Sequence, residues 1–273
     1  MSTIILDQAV YPQKDGLLPF ALTDVLIDAC NETKTPFLHF WQLEKSFILG
    51  MKDTRAVNLS AGLQTTLKAG YEPIVRNSGG LGVLSDAGIL NLSLILPNHE
   101  KTLTTDQAYQ KMLRLTQKAL PHLAIQAHEV PDSYCPGKFD FTASGKKIAG
   151  TAQRRVKDAV AVMMYLSVSG NQKQRGEIVR NYYQHSLNDY VFQSEYPIIN
   201  PASMTSLSEI SSTPLSLPAI KTQFINALNE QYQQENSTQW LLTNQKLPQL
   251  KNKLDKMIQR NQPIKELLHA KLI

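Results

Sequence analysis

Ser133-Tyr134-Cys135-Pro136-Gly137, followed by Gly145-Lys146-Lys147-Ile148-Ala149-Gly150, is the stretch on which the reading of this chain turns. It places one of only two cysteines in a turn that Pro136 and Gly137 hold open, with a lysine pair a dozen residues downstream. A cysteine attacks as its thiolate, and a nearby cation favours that form. Taken alone, such a residue is more often a half-buried loop cysteine beside surface lysines.

About fifty residues upstream lies its counterpart, Val75-Arg76-Asn77-Ser78-Gly79-Gly80-Leu81-Gly82-Val83-Leu84-Ser85-Asp86. An apolar stretch ends in Arg76, a glycine-rich turn follows, then Asp86 and the alternating segment Gly88 to Leu96. Glycines between two strands mark a hairpin or a place where a ligand lies against bare backbone. The loop fits neither common phosphate fingerprint. No Gly-Lys-Ser/Thr closes it as in a P-loop, and Ser85 stands where the dinucleotide motif needs a third glycine.

Together the two segments resemble the biotin/lipoate protein ligase and transferase superfamily. Within it the closest resemblance is to the octanoyl-[glycine-cleavage H protein]:protein N-octanoyltransferases, or lipoyl amidotransferases. It runs from about Leu17 to Ser208 and rests on Arg76-Asn-Ser-Gly-Gly-Leu, Ser-Tyr-Cys135-Pro-Gly and Gly-Lys-Lys147-Ile-Ala-Gly-x-x-Gln153-Arg. The resemblance implies the class II synthetase-like catalytic fold, and acyl transfer from a lysine of the H protein to a lysine of the lipoyl domains of 2-oxoacid dehydrogenase E2 subunits. It implies that Cys135 carries the octanoyl or lipoyl group as a thioester, that Lys147 lowers the Cys135 pKa, and that no ATP or other cofactor is needed.

Departures from the wider family point the same way. ATP-dependent ligases show Arg-Arg-x-Ser-Gly-Gly-Gly-x-Val-x-His-Asp at this loop. Here Val75 replaces the first arginine, Leu81 the third glycine and Ser85 the histidine. Leu81 adds bulk where a nucleotide needs room, and the ligases require no cysteine because AMP is their leaving group. The alternatives are an ATP-dependent lipoate ligase, or a non-catalytic carrier-binding protein in which Cys135 is structural.

At 273 residues, 42% apolar and 19% charged, the chain has the composition of a globular protein with a sizeable core. The N-terminus lacks the basic region and apolar core of a signal peptide, and no apolar run approaches the ~20 residues of a membrane span. Two cysteines make no disulfide framework, which suits a reducing compartment; cytoplasm is the expected location. Seven Lys/Arg from residue 236 onward face Asp255 and Glu266, so the +5 charge sits in the tail, 7 − 2 = +5. Few aromatics accompany these cations, which argues against nucleic acid and leaves an acidic protein partner or a solvated helix face. The expected division is a catalytic domain at 1–235 and a basic helical extension at 236–273.

Periodicity predicts a mixed α/β domain with helices packed on a mixed or antiparallel sheet. Leu22, Leu26, Ala29 and Cys30 share a helical face. Phe37–Leu43 and 46–50 read as strands, and Leu59, Leu63 and Leu67 as a helix that Gly70 stops. Residues 88–96 alternate oily and polar, with the polar face, Asn91 and Ser93, available to a ligand. Ala108, Met112, Leu115 and Ala119 make the next helix, and 123–130 a strand into the cysteine turn. A meander follows over 139–142, 147–156 and 159–168, with turns at Ser144-Gly145 and Lys157-Asp158. It brings Lys147 toward Cys135 and turns Lys146 to the opposite face. Helices are expected over 174–187, through Ile220, Phe224, Leu228 and Tyr232, and through Leu250, Leu254, Met257 and Ile258.

The catalytic candidates are therefore Cys135 and Lys147. Arg76, Asn77, Ser78, Gly79, Gly80, Leu81, Asp86, Asn91, Gly150 and Gln153 are the candidates for substrate contact, with an Arg76–Asp86 ion pair an alternative that would merely bracket the loop. Backbone N–H groups near Gly79 and Gly80, or in the cysteine turn, are candidate oxyanion donors. His128 is the reserve acid/base. The histidines show no metal-ligand spacing, so no metal is expected.

Overall fold

The computed structural model describes residues 2–187, 196–211, 215–228 and 231–269. In chain order the elements are β1 (Thr3–Tyr11), α1 (Leu18–Thr33), β2 (Phe37–Leu43), β3 (Ser46–Leu49), α2 (Leu59–Lys68), β4 (Glu72–Val75), β5 (Val83–Ser85), β6 (Ile89–Pro97) and α3 (Thr105–Ala119). Then come β7 (Gln126–Ala127), β8 (Phe141–Ala143), β9 (Lys146–Val156), β10 (Ala159–Ser167), α4 (Gln172–Ser186), α5 (Leu207–Ile210), α6 (Leu217–Ala227), β11 (Tyr232–Glu235), α7 (Ser237–Thr243) and α8 (Leu247–His269).

Eight strands form one sheet in the order β11-β1-β2-β6-β10-β9-β8-β7, parallel at β11-β1-β2 and antiparallel beyond. The expected meander, β8-β9-β10, lies between β6 and the β7 edge. Residues 144 and 145 (φ 51° and 73°) close β8 onto β9, and Lys157 (φ 53°) closes β9 onto β10. Both faces of the central strands are covered. Leu90, Leu92 and Leu94 of β6 pack with Met112, Leu115 and Phe224 of α3 and α6, while Ile95 packs with Leu22, Leu26 and Cys30 of α1. Each such apolar side chain contributes roughly 1.5–3 kcal/mol by leaving water.

The polar face of β6 is itself buried. Ser93 Oγ lies 3.3 Å from Thr23 Oγ1 of α1 and accepts from Trp41, and Asn91, 3% exposed, donates to Ser85 Oγ. Polar residues facing inward need partners, and these supply them.

A second sheet, β4-β3-β5, holds the glycine loop between β4 and β5. It packs on α2 and α4 through Phe47, Leu63, Leu84 and Tyr182. The loop is thus suspended between a small sheet and a helix pair, facing the β8–β9 end of the large sheet.

Three boundaries differ from the sequence pattern. The strand expected over 123–130 shortens to β7, because the Val130 N–H bonds the Asp140 carboxylate instead of a sheet neighbour. The helix through Ile220 and Phe224 stops at Ala227, and Tyr232 opens β11, paired with Thr3 at the sheet edge. In α8 the buried stripe runs through Met257, Asn261 and Ile264, leaving Ile258 39% exposed, one step off the face. The tail is tied to the rest by side chains as well. Asn261 bonds both the N–H and the carbonyl of Val75, Lys246 pairs with Glu32, and Lys253 with Asp28. No helix among the described residues is long and apolar enough to cross a membrane.

Candidate active site

Cys135 has φ 49°, a left-handed conformation that costs a non-glycine residue on the order of 1–2 kcal/mol. Lys147 at the start of β9 holds it there. Its ammonium donates to Tyr134 O at 3.0 Å, Cys135 O at 2.8 Å and Ser133 Oγ at 3.0 Å, and pairs with Asp140 Oδ1 at 2.9 Å. Asp140 closes the turn from the other side, accepting at Oδ2 from the N–H of Gly137 (3.1 Å) and of Val130 (3.2 Å). Burial pushes the Asp140 carboxyl above the usual carboxylate range, while Lys147 and the two N–H donors pull the other way. With side chains 5% and 2% exposed, Lys147 and Asp140 form a buried, fully bonded ion pair beneath the cysteine.

Lys147 therefore reaches Cys135 through its carbonyl, and other groups face the sulfur. Sγ accepts from the Leu81 N–H at 3.1 Å and lies 3.8 Å from Arg76 Nη2. Arg76 is 7% exposed, and its remaining hydrogen bonds go to the carbonyls of Ile48, Gly79 and Leu81. The alternative of an Arg76–Asp86 pair does not form. Asp86 binds Arg175 instead, at 2.6 and 2.9 Å, and accepts from Tyr71. Against the desolvation that opposes ionisation, Arg175 and Tyr71 hold the Asp86 carboxyl below its usual range.

Gly80 makes the approach of loop and cysteine possible. Its φ of 95° suits glycine, and a Cβ there would lie 2.5 Å from Arg76 Nη2 and 2.9 Å from Cys135 Sγ. Gly79 and Gly80 are exposed, so bare backbone lies beside the sulfur. Of the oxyanion candidates, the Gly137 N–H is already committed to Asp140. Ser78 is buried in the same loop, and Leu81 packs into the apolar cluster with Phe47, Leu84 and Tyr134.

The other expected residues spread outward. Asn77 donates to Asp24, whose carboxylate also pairs with Arg154, and Arg154 bonds Asn77 O. These contacts fasten the loop to α1 and β9. Gly150 lies beside the Lys147 stem, which a Cβ there would meet in ordinary contact at 3.5 Å. Gln153 donates to Thr105 O, and Asn91 to Ser85 Oγ. His128 meets Thr142 and is no partner of the sulfur. Lys146 is exposed, on the face opposite Lys147.

Asp140 is the main residue that sequence reading missed. Its only local signal is its place three residues after Gly137, where a carboxylate can turn back on the loop's own N–H groups. Also missed was a buried polar chain joining the two segments. Tyr134 OH lies 2.6 Å from Tyr165 OH and accepts from Gln172, which bonds Ser167 and Arg175, the partner of Asp86.

A model of the lipoyl protein ligase A/B catalytic domain family matches residues 15–229. The chain belongs to that family. The sequence resemblance is thereby borne out, and so is the fold it implied. Within the lipoyl ligase A/B family, the chain is 37% identical over 218 residues to an octanoyl-[GcvH]:protein N-octanoyltransferase of Anoxybacillus flavithermus, covering 80% of this chain and 79% of the relative. It is 35% identical over 222 residues to a lipoyl-[GcvH]:protein N-lipoyltransferase of Listeria monocytogenes, covering 80% of each. Among solved structures, lipoate-protein ligase A bound with ATP superposes with a TM-score of 0.69 over 95% of both chains at 15% identity. A bipartite lipoate protein ligase from Thermoplasma acidophilum gives 0.64 over 94% of this chain and 91% of its own, also at 15% identity. These two show the shared fold.

Proposed function

We propose that this chain is an acyltransferase that takes an octanoyl or lipoyl group from a lysine of the glycine-cleavage H protein, carries it on Cys135, and delivers it to a lysine of the lipoyl domains of 2-oxoacid dehydrogenase E2 subunits. The observation that carries this reading is the setting of the sulfur. A cysteine in a clamped turn meets one backbone N–H and one guanidinium, beside exposed glycine backbone, in a chain 37% identical to a named octanoyltransferase.

In the first half-reaction the sulfur attacks the amide carbonyl, a C–S bond forms, the C–N bond breaks, and the lysine amine leaves with the thiol's proton. In the second, the acceptor lysine's amine attacks the thioester, the C–S bond breaks and the thiol is restored. One amide replaces another, so no ATP is consumed. Each half passes through a tetrahedral oxyanion, which favours donors already in place. Arg76 and the Leu81 N–H supply positive charge and a backbone donor at the sulfur. Lys147 and Asp140 hold the turn that presents the sulfur. Cytoplasm suits an enzyme that works through a free thiol.

The test is to incubate the protein with octanoylated H protein without ATP and examine the intact chain and its peptides by mass spectrometry. An octanoyl adduct on the Cys135 peptide, labile to hydroxylamine, is expected. Lipoate-dependent release of pyrophosphate that survives Cys135→Ala would replace this reading by the ligase one. Calorimetry with ATP is expected to show no binding, since Leu81 stands where the ligases carry glycine.

A further inference from the structure

The cysteine turn opens on a cleft of ≈ 1030 Å³ whose walls include Gly80, Leu81 and Pro136, all next to Cys135. Its outer rim is apolar and exposed. Val57 (68%) lines it and Ile198 (57%) follows the lining residue Pro197; these are the two most exposed large apolar side chains among the described residues. Met51 adds a third, 42% exposed. The rim is also basic. Lys52 and Arg55 line it, Arg260 of α8 contacts Met51 Sδ at 2.9 Å, and Glu129 is the one carboxylate among the lining residues.

We propose that this rim is the docking surface for the acyl-donor protein, which presents carboxylates around its acylated lysine. The inference rests on the transferase reading above. A lysine side chain spans only roughly 6 Å from Cα to Nζ, from standard bond lengths. A donor whose acyl-lysine amide meets Cys135 Sγ must therefore bring its own backbone to the mouth of the cleft. What it meets there is exposed Met51 and Val57, with Ile198 next to the lining residue Pro197, beside Lys52, Arg55 and Arg260, the composition of a contact surface with a polar rim. The surface is continuous with the reacting sulfur, and its charge selects an acidic partner. Arg260 gives one of the tail's cations a defined place in this encounter, unlike Lys246 and Lys253, which are paired with α1.

The experiment measures transfer from octanoylated H protein by wild type, Val57→Asp, and the double variant Arg55→Glu/Arg260→Glu. The control is Lys111→Glu/Lys118→Glu, in a larger cleft (≈ 1390 Å³) that shares no lining residue with this one. Alkylation of Cys135 by iodoacetamide reports whether each variant keeps an intact site. Val57→Asp and the Arg55/Arg260 pair are expected to raise the donor KM about tenfold, the scale of losing one packed anchor, with alkylation unchanged. The charge pair is also expected to lose the salt dependence of kcat/KM. If Val57→Asp fails to fold, the charge pair, on surface positions, decides. Wild-type KM in these variants, or a raised KM in the control, overturns the docking surface alone. Absence of any octanoyl adduct in the wild type overturns the transferase reading and this proposal with it.

Discussion

Nη2 of Arg76 lies 3.8 Å from Sγ of Cys135, across 59 residues of chain. All its other hydrogen bonds run to backbone carbonyls, so its charge is offered to the sulfur and to the loop at once. Charge-assisted donors favour a sulfur that carries negative charge. Arg76→Met is expected to slow iodoacetamide alkylation of Cys135 at neutral pH by about tenfold or more, from loss of a neighbouring cation. Arg76→Lys keeps the charge without the planar fork and is expected to fall between the two. Equal rates in all three would assign Arg76 to loop structure alone.

The two cysteines are expected to separate cleanly. Cys30 is fully buried on α1, and burial pushes its thiol up to about 12. Cys135→Ala is expected to abolish transfer from octanoylated H protein and Cys30→Ala to leave it nearly intact. Cys135→Ser is expected to fail as well, since an alkoxide is far harder to form near neutral pH. Normal turnover by Cys135→Ala would remove the covalent mechanism.

Adjacent glycines are expected to differ. At Gly80 a Cβ would collide with Arg76 and Cys135, on a backbone that disfavours L-residues, whereas at Gly79 nothing lies within 4 Å. Gly80→Ala is therefore expected to lose most of its transfer activity, and Gly79→Ala to retain it, in parallel steady-state assays. The reverse order would show that the observed loop is not the working one.

Lys147→Ala leaves the Asp140 carboxyl buried without its cation, a change that costs about 3–5 kcal/mol for a buried pair. Asp140→Asn strands the ammonium instead and is expected to destabilise comparably. Lys146→Ala, on the exposed face, is expected to stay within about 0.5 kcal/mol of wild type. Urea unfolding measures all three. A stable Lys147→Ala with lost transfer would show that Lys147 acts in chemistry without supporting the turn.

Asp53 predicts a pH dependence. It accepts from the Gly50 N–H and from Tyr183 OH, and the same phenol accepts from the Gly82 N–H in the glycine loop. Burial raises its pKa from 3.8 to about 6, opposed by those bonds. The folded state thus binds this proton more tightly than the unfolded chain. Its contribution to stability is fully present below about pH 4 and is lost as pH rises through about 6. Asp53→Asn is expected to flatten that interval of the stability curve in urea unfolding from acid to neutral pH. Parallel curves for variant and wild type would show that Asp53 ionises normally.

Local chemistry made much of this molecule legible. The alternation through 147–168 and the turn residues at 144–145 and 157–158 specified the meander, because side chains on a pleated strand alternate whatever packs on them. The placing of Lys147 toward the cysteine and of Lys146 away from it followed from the same period. Where a backbone group found an unforeseen partner, the pattern misled: Val130 bonds the Asp140 carboxylate, and the strand around it shrinks to β7. Asn91 and Ser93 read as a polar face, and polarity alone does not say what covers a strand; here both are buried and bonded.

By itself, then, the sequence determined the family, the αβ order, the cysteine's turn and the glycine loop, since these rest on residue type and short spacing. Only the tertiary structure decided who faces whom. It gave Arg76 to the sulfur and Arg175 to Asp86, put Asp140 beneath Lys147, and joined Asn261 of the tail to Val75 across 186 residues. The physical reason is that a buried charge or N–H group takes whichever partner the packed core brings within about 3 Å, and long-range packing sets that choice while sequence spacing does not.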